Sequence, residues 1–75
     1  MHNLWSAINA YADEPSYAWL TENAWKFGFI LRYPEDKTDI TGITFEPWHW
    51  RFVGRDNAKA MRDASMCLEE YVSRG

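Results

Sequence analysis

The chain has 75 residues and a mass of 8.9 kDa, enough for one small domain and too little for a two-domain enzyme. Hydrophobic residues make up 47% and aromatic residues 17%, with five Trp, four Tyr and four Phe against four Gly and three Pro, a balance that excludes a disordered chain. Eight Lys and Arg against eleven Asp and Glu leave a net charge of -3 with no basic run, so the charge pattern offers no footprint for nucleic acid.

The lone Cys67 excludes an intrachain disulfide and an all-cysteine zinc knuckle, and its plain reading is a small buried or capping side chain. No apolar run approaches the roughly 20 residues needed to cross a bilayer. Met1 to Ala12 lacks the charged start and continuous apolar middle of an export signal. The expectation is therefore a chain with no transmembrane segment and no export signal, its compartment left open.

In chain order, Leu4, Ile8 and Tyr11 form a weak helical stripe that Pro15 closes. Ser16 is placed to cap a helix whose apolar positions Tyr17, Leu20, Ala24 and Phe27 recur at helical spacing, with Glu22 and Lys26 four apart in the favourable order. Gly28 ends that helix. Phe29 to Tyr33 is β-prone, Glu35 to Lys37 supplies a polar turn, and Ile40 to Phe45 is a second extended run, together predicting a hairpin. A third run, Trp48 to Val53, alternates so that Trp48, Trp50 and Phe52 share one face while His49, Arg51 and Val53 share the other.

After Gly54, Asp56 is a candidate cap for a helix to about Ser65, with Ala58, Met61 and Ala64 inward and Lys59 and Asp63 outward. A last short helix would dock through Leu68, Tyr71 and Val72, and Cys67 and Glu70 stand where a capping box places its two members. The order helix, three strands, two helices, without repeats or linkers, gives one α+β domain on a small antiparallel sheet with flanking helices.

The segment with chemistry in it is Glu46-Pro47-Trp48-His49-Trp50-Arg51. In a regular strand Glu46 and His49 would point to opposite faces. Pro47 cannot join a sheet ladder, so a bend or bulge there can turn Glu46 back to the side of His49. A neutral imidazole is a common zinc ligand, and a nearby unligated carboxylate is the group a zinc hydrolase uses to take a proton from water. On spacing alone a second reading stands beside this one: a surface Glu at a strand start and a His that hydrogen-bonds locally. Arg51 is suited either to a substrate carboxylate or to a sheet-surface salt bridge, and Arg32 has the same two readings. The tryptophans are core candidates, with Trp48 set apart by its place between Glu46 and His49.

The longer string resolves more. Trp19 to Gly54, WLTENAWKFGFILRYPEDKTDITGITFEPWHWRFVG, followed by CLEEYV from Cys67 to Val72, closely resembles the C-terminal half of the VanY-type D-alanyl-D-alanine carboxypeptidases. Three sub-motifs are specific: NAWKFGFILRYP, KTDITG and EPWHWRFVG. The resemblance implies a zinc metallopeptidase that removes the terminal D-alanine from peptidoglycan stem peptides or their precursors. It also implies the fold shared with lysostaphin-type peptidases and the hedgehog signalling domain. By motif position Glu46 matches the family's general base, His49 its C-terminal zinc ligand and Trp48 the aromatic residue between them. In the implied mechanism the metal polarises the scissile carbonyl and acidifies its water, while Glu46 accepts the proton and passes it to the leaving amine.

The family takes its other two zinc ligands from an upstream motif, Ser-x-His-x-x-Gly-x-Ala-x-Asp, which nothing here matches: Asn9 stands seven residues after His2, Asp13 eleven after it, and no Gly precedes Gly28. Residues 1–15 are the poorly matched segment of a domain over 1–75 that reads as incomplete on its N-terminal side. Two functions follow as expectations. One is the catalytic C-terminal part of a zinc D,D-carboxypeptidase, holding zinc only when the upstream ligands are supplied. The other is an inactive remnant that binds peptides or a partner through the Trp48, His49 and Arg51 face, with self-association through an exposed sheet edge as a further expectation.

Overall fold

A computed structural model describes residues 12–74; His2 and the Leu4, Ile8 and Tyr11 stripe lie outside the described residues. The described chain runs as helix α1 (Pro15–Asn23), a 3-10 turn (Ala24–Phe27), strand β1 (Phe29–Leu31), a second 3-10 turn (Glu35–Lys37), helix α2 (Thr38–Thr41), strand β2 (Trp50–Phe52), helix α3 (Arg55–Ala64) and helix α4 (Leu68–Ser73). The α+β class holds, but the antiparallel sheet among these residues has two strands rather than three.

Strands β1 and β2 pair with Phe29 opposite Phe52, Ile30 opposite Arg51 and Leu31 opposite Trp50. Two further bonds lengthen the ribbon: Val53 N–H donates to the Gly28 carbonyl at 2.8 Å, and Arg32 N–H to the His49 carbonyl at 2.8 Å. The hairpin expected between Phe29–Tyr33 and Ile40–Phe45 does not form. Residues 38–41 close a helical turn instead, with Gly42 at φ 74° as its left-handed stop and its N–H bonded to the Thr38 carbonyl. The Thr41 hydroxyl takes the Ile43 N–H at 3.1 Å. These local bonds satisfy the backbone before a strand partner is needed, which overrides the β-preference of Ile40 and Thr41.

Helix α1 starts two residues earlier than expected. Glu14 is the cap and Pro15 takes the first helical position, where its missing N–H costs nothing, so Ser16 lies inside the helix and caps nothing. The Lys26 ammonium bonds the Asn23 side chain at 3.0 Å, not Glu22. From Ala24 the helix tightens to 3-10 geometry, which buries Ala24 and swings Phe27 outward to 56% exposure. Gly28 does terminate this segment, at φ 89°, and a Cβ on it would lie 2.6 Å from the Phe52 ring.

The core forms where α3 lies on the ribbon: Ile30, Ala58 and Met61 are buried, with Trp25, Val53, Leu68 and Tyr71 packed against them. Helix α3 is capped by Gly54 at φ 92°, not Asp56, which sits in the first turn, where a carboxylate meets the helix dipole favourably. Its end at Ser65, φ 55°, is secured by Met66 N–H on the Met61 carbonyl at 2.9 Å. Ala64 is exposed rather than inward. Lys59 and Asp63 pair outside at 2.9 Å, as the spacing predicts. In α4 Leu68 and Tyr71 dock, while Val72 is 71% exposed. The Glu70 carboxylate receives the Cys67 N–H at 3.0 Å, the half of the capping box its side chain supplies. No helix among the described residues is long and apolar enough to cross a membrane.

Candidate active site

Residues 45–50 form a tight turn that leads into β2. Phe45 and Pro47 are buried while the residues between and after them are not, so two apolar pegs fix the loop. The His49 N–H closes the turn on the Glu46 carbonyl at 3.1 Å, and the Trp50 indole N–H donates to the Pro47 carbonyl at 3.0 Å. Trp50 and Phe45 in turn meet the Tyr17 ring, with centroids 6.3 and 6.2 Å away.

The turn decides where the chemistry points. Three residues apart in a strand, Glu46 and His49 would diverge; across this turn Glu46 Oε1 comes within 3.2 Å of His49 Nδ1. The bend expected at Pro47 is thus a four-residue turn rather than a bulge, and Trp48 sits inside it, outside the strand alternation expected for it. Strand β2 begins only at Trp50. The Glu46 and His49 side chains are 31% and 46% exposed and line none of the three grooves described in this fold. They share an open surface.

The segment after β1 holds the pair from behind. Glu46 N–H donates to the Tyr33 carbonyl at 3.1 Å, and the Tyr33 ring meets the His49 imidazole edge-on, centroids 5.2 Å apart at 78°. Arg32 lies over that same tyrosine ring, its guanidinium carbon 4.5 Å from the centroid, and its Nη1 is 2.9 Å from Glu69 of α4. Tyr33 is the contributor that the sequence pattern placed only at the end of the β-prone run from Phe29. The antiparallel match of FILR with HWRF would have found it, since that register sets Arg32 beside His49.

Of the other candidates, Arg32 has an internal ion pair, the structural reading weighed for it. Arg51 is exposed, opposite Ile30, with no ion-pair partner among the described residues. Trp48 is 42% exposed. Beside the site, Lys37 and Glu70 pair at 2.9 Å, so two salt bridges tie α4 to the segment after β1. The Lys37 hydrogen bond holds the Glu70 carboxyl below its usual value, and Glu70 raises Lys37 in return. At Glu69 burial pushes upward, but the Arg32 hydrogen bond, a backbone hydrogen bond and the Arg32 charge outweigh it and leave the carboxyl low. Burial pushes the Cys67 thiol up, which keeps it protonated and unreactive at neutral pH.

A catalytic zinc centre takes three protein ligands. Among the described residues no three His, Cys, Asp or Glu side chains gather to hold a metal; the turn brings together one imidazole and one carboxylate, so these residues alone do not build such a centre.

A family model described as VanY, D-alanyl-D-alanine carboxypeptidase, matches residues 3–55. A D-alanyl-D-alanine carboxypeptidase of Enterococcus faecium is 51% identical over 67 residues, which are 89% of this chain and 22% of that protein. The structure of VanYB in complex with D-alanine-D-alanine superposes with a TM-score of 0.77 at 52% identity, over 79% of this chain and 33% of that one. A VanY D,D-pentapeptidase from a VanB-type resistance cassette, in complex with Zn(II), gives 0.74 at 54% identity, over 76% and 32%. The chain therefore spans about a fifth to a third of the proteins it matches. By this agreement in sequence and in fold, the chain belongs to the VanY family of D-alanyl-D-alanine carboxypeptidases.

Proposed function

We propose that this chain carries the general base and one zinc ligand of a D,D-carboxypeptidase that hydrolyses the terminal D-Ala-D-Ala bond of peptidoglycan stem peptides. The observation that supports it most is the 3.2 Å approach of Glu46 to His49 on a turn pinned by Phe45, Pro47 and the Trp50 indole. Zinc, when bound, supplies Lewis acidity toward the scissile carbonyl. His49 would be one of its ligands, the others coming from outside the described residues.

In this reading Glu46 takes a proton from the attacking water and delivers it to the departing D-alanine amine. An exposed carboxylate-imidazole contact is worth at most about 1 kcal/mol, so Glu46 can leave His49 for that task at little cost. Tyr33 holds both partners: its carbonyl fixes the Glu46 backbone and its ring fixes the imidazole plane. Arg51, exposed and without an ion-pair partner among the described residues, is the proposed contact for the substrate carboxylate. Trp48 offers apolar surface beside it.

The same 3.2 Å contact favours one rival role. A carboxylate on the Nδ1 of a ligating histidine, with the metal on Nε2, acts as an orienting group and not as the base. A chimera tests the main reading: this chain replaces its matched region in the Enterococcus faecium carboxypeptidase, and D-alanine release from a D-Ala-D-Ala peptide is followed. Zinc-dependent release that drops roughly 10²–10⁴-fold in Glu46→Gln is expected. An unchanged rate in Glu46→Gln would overturn it.

A further inference from the structure

We infer that the aromatic face formed by Trp19, Phe27, Phe29, Trp50 and Phe52 is a seam for the remaining part of a VanY-type domain, supplied by another stretch of polypeptide. Trp19, Phe27 and Phe52 are 53%, 56% and 62% exposed, yet they are not scattered. Trp19 stacks on Phe27 with centroids 6.2 Å apart, and Phe29 meets Phe52 at 5.3 Å. Between them runs a groove of about 480 Å³ walled by Trp19, Leu20, Ala24, Phe27, Phe29 and Trp50, all apolar. Contiguous apolar surface of this kind marks an interaction site rather than ordinary exposure.

Helix α1 carries the same message. Tyr17 turns toward Phe45 and Trp50, while Trp19 turns toward Phe27. Two residues apart, they point roughly 200° away from each other at 100° per residue. A helix that is apolar on opposite sides belongs between two layers, and the described residues supply one of them: no residue of α1 is buried. The β1–β2 ribbon is likewise short of neighbours, because two strands alone make a marginal sheet.

The occupant follows from the relatives. They align with 79–89% of this chain while 67–78% of their own length lies outside the match, so the fold they share has a large complement that can supply the second layer. A second copy of this chain would bring another α1 with the same unmet sides. The seam requires family membership only; that its filling completes the metal site rests on the functional reading above.

The test co-expresses the whole chain with the part of the Enterococcus faecium carboxypeptidase outside the matched region, affinity-tagged, and weighs the product by native mass spectrometry. A one-to-one complex is expected, weakened at least about 100-fold by Phe27→Asp or Phe52→Asp (roughly 2.7 kcal/mol) and untouched by Val72→Asp, at a still more exposed apolar residue outside the face. As a second measurement, Phe27→Asp should lower the melting midpoint of the chimera by about 10 °C or more while moving that of the isolated chain by only about 2 °C.

No complex together with equal shifts in the two melting experiments overturns the seam. So does a complex indifferent to both Asp variants, or a homodimer of this chain that these variants abolish. A complex that forms and releases no D-alanine keeps the seam and contradicts the catalytic reading. Release by the chain alone, with no complex, does the reverse.

Discussion

Helices α1 and α3 flank the same ribbon and are held in opposite ways. In α3 the apolar positions Ala58 and Met61 fall on one side, are buried, and meet Ile30, while Lys59 and Asp63 pair on the other. In α1 the apolar residues Tyr17, Trp19 and Leu20 surround the axis and none is buried. An amphipathic helix on a ribbon is finished with one contact; a helix apolar on two sides needs two. The difference divides the molecule into a completed half, around α3 and α4, and an open half, around α1 and the aromatic groove. The Glu46–His49 turn joins them, with Tyr17 touching Phe45 from the open side and Arg32, paired with Glu69, lying over Tyr33 on the completed side.

The largest effect should come from emptying the completed half. Met61→Ala is expected to cost about 2–5 kcal/mol in urea unfolding, whereas Phe27→Ala, on the open half, should cost less than about 1 kcal/mol in the isolated chain. Equal losses would erase the distinction between the halves.

A smaller effect is expected at the bridge. Tyr33→Leu in the chimera should lower zinc affinity or D-alanine release roughly 10–100-fold, as removal of a group behind a metal ligand does, and Tyr33→Phe should restore it. If the Leu variant works as well as the parent, the edge-on contact with His49 positions nothing.

The mildest effect concerns the clamp on α4. Glu69 and Glu70 lie below their ordinary value of 4.5. A carboxyl depressed in the folded state contributes stability above its unfolded pKa and loses it as pH falls through the folded one. The urea midpoint should therefore hold from pH 7 to about pH 5 and fall below that. The double variant Glu69→Gln, Glu70→Gln should start lower and slope less. Lys37, raised by Glu70 above 10.5, contributes throughout this range, because a raised cation loses its share only as pH climbs through its folded value. An identical acid slope in the double variant would show that the two salt bridges do not govern it.

Local signals made the completed half legible in the sequence. Helical spacing located α3, Gly28 marked a true left-handed stop, and Cys67 and Glu70 marked the last helix. What failed were inferences that needed tertiary partners. The Ile40–Phe45 run has β-prone residues, but local hydrogen bonds closed Thr38 to Gly42 on itself before any sheet edge was used. Ala64 and Val72 fit an apolar spacing yet stay exposed. For the site, Pro47 correctly signalled a break that returns Glu46 to His49. The contribution of Tyr33 depends on the β1–β2 register, which was hidden once the wrong runs were paired. Arg32 was undecidable from sequence because its partner, Glu69, lies 37 residues away.

The central claim is that Glu46 moves the proton while His49 holds the metal. It is tested most directly by measuring zinc affinity and D-alanine release together in the chimera and in its Glu46→Gln and His49→Ala variants. Glu46→Gln is expected to keep its zinc affinity and lose the rate, and His49→Ala to lose the zinc. Zinc affinity reduced roughly 10–100-fold in Glu46→Gln, with the rate recovered at saturating zinc, would contradict it and make Glu46 an orienting group.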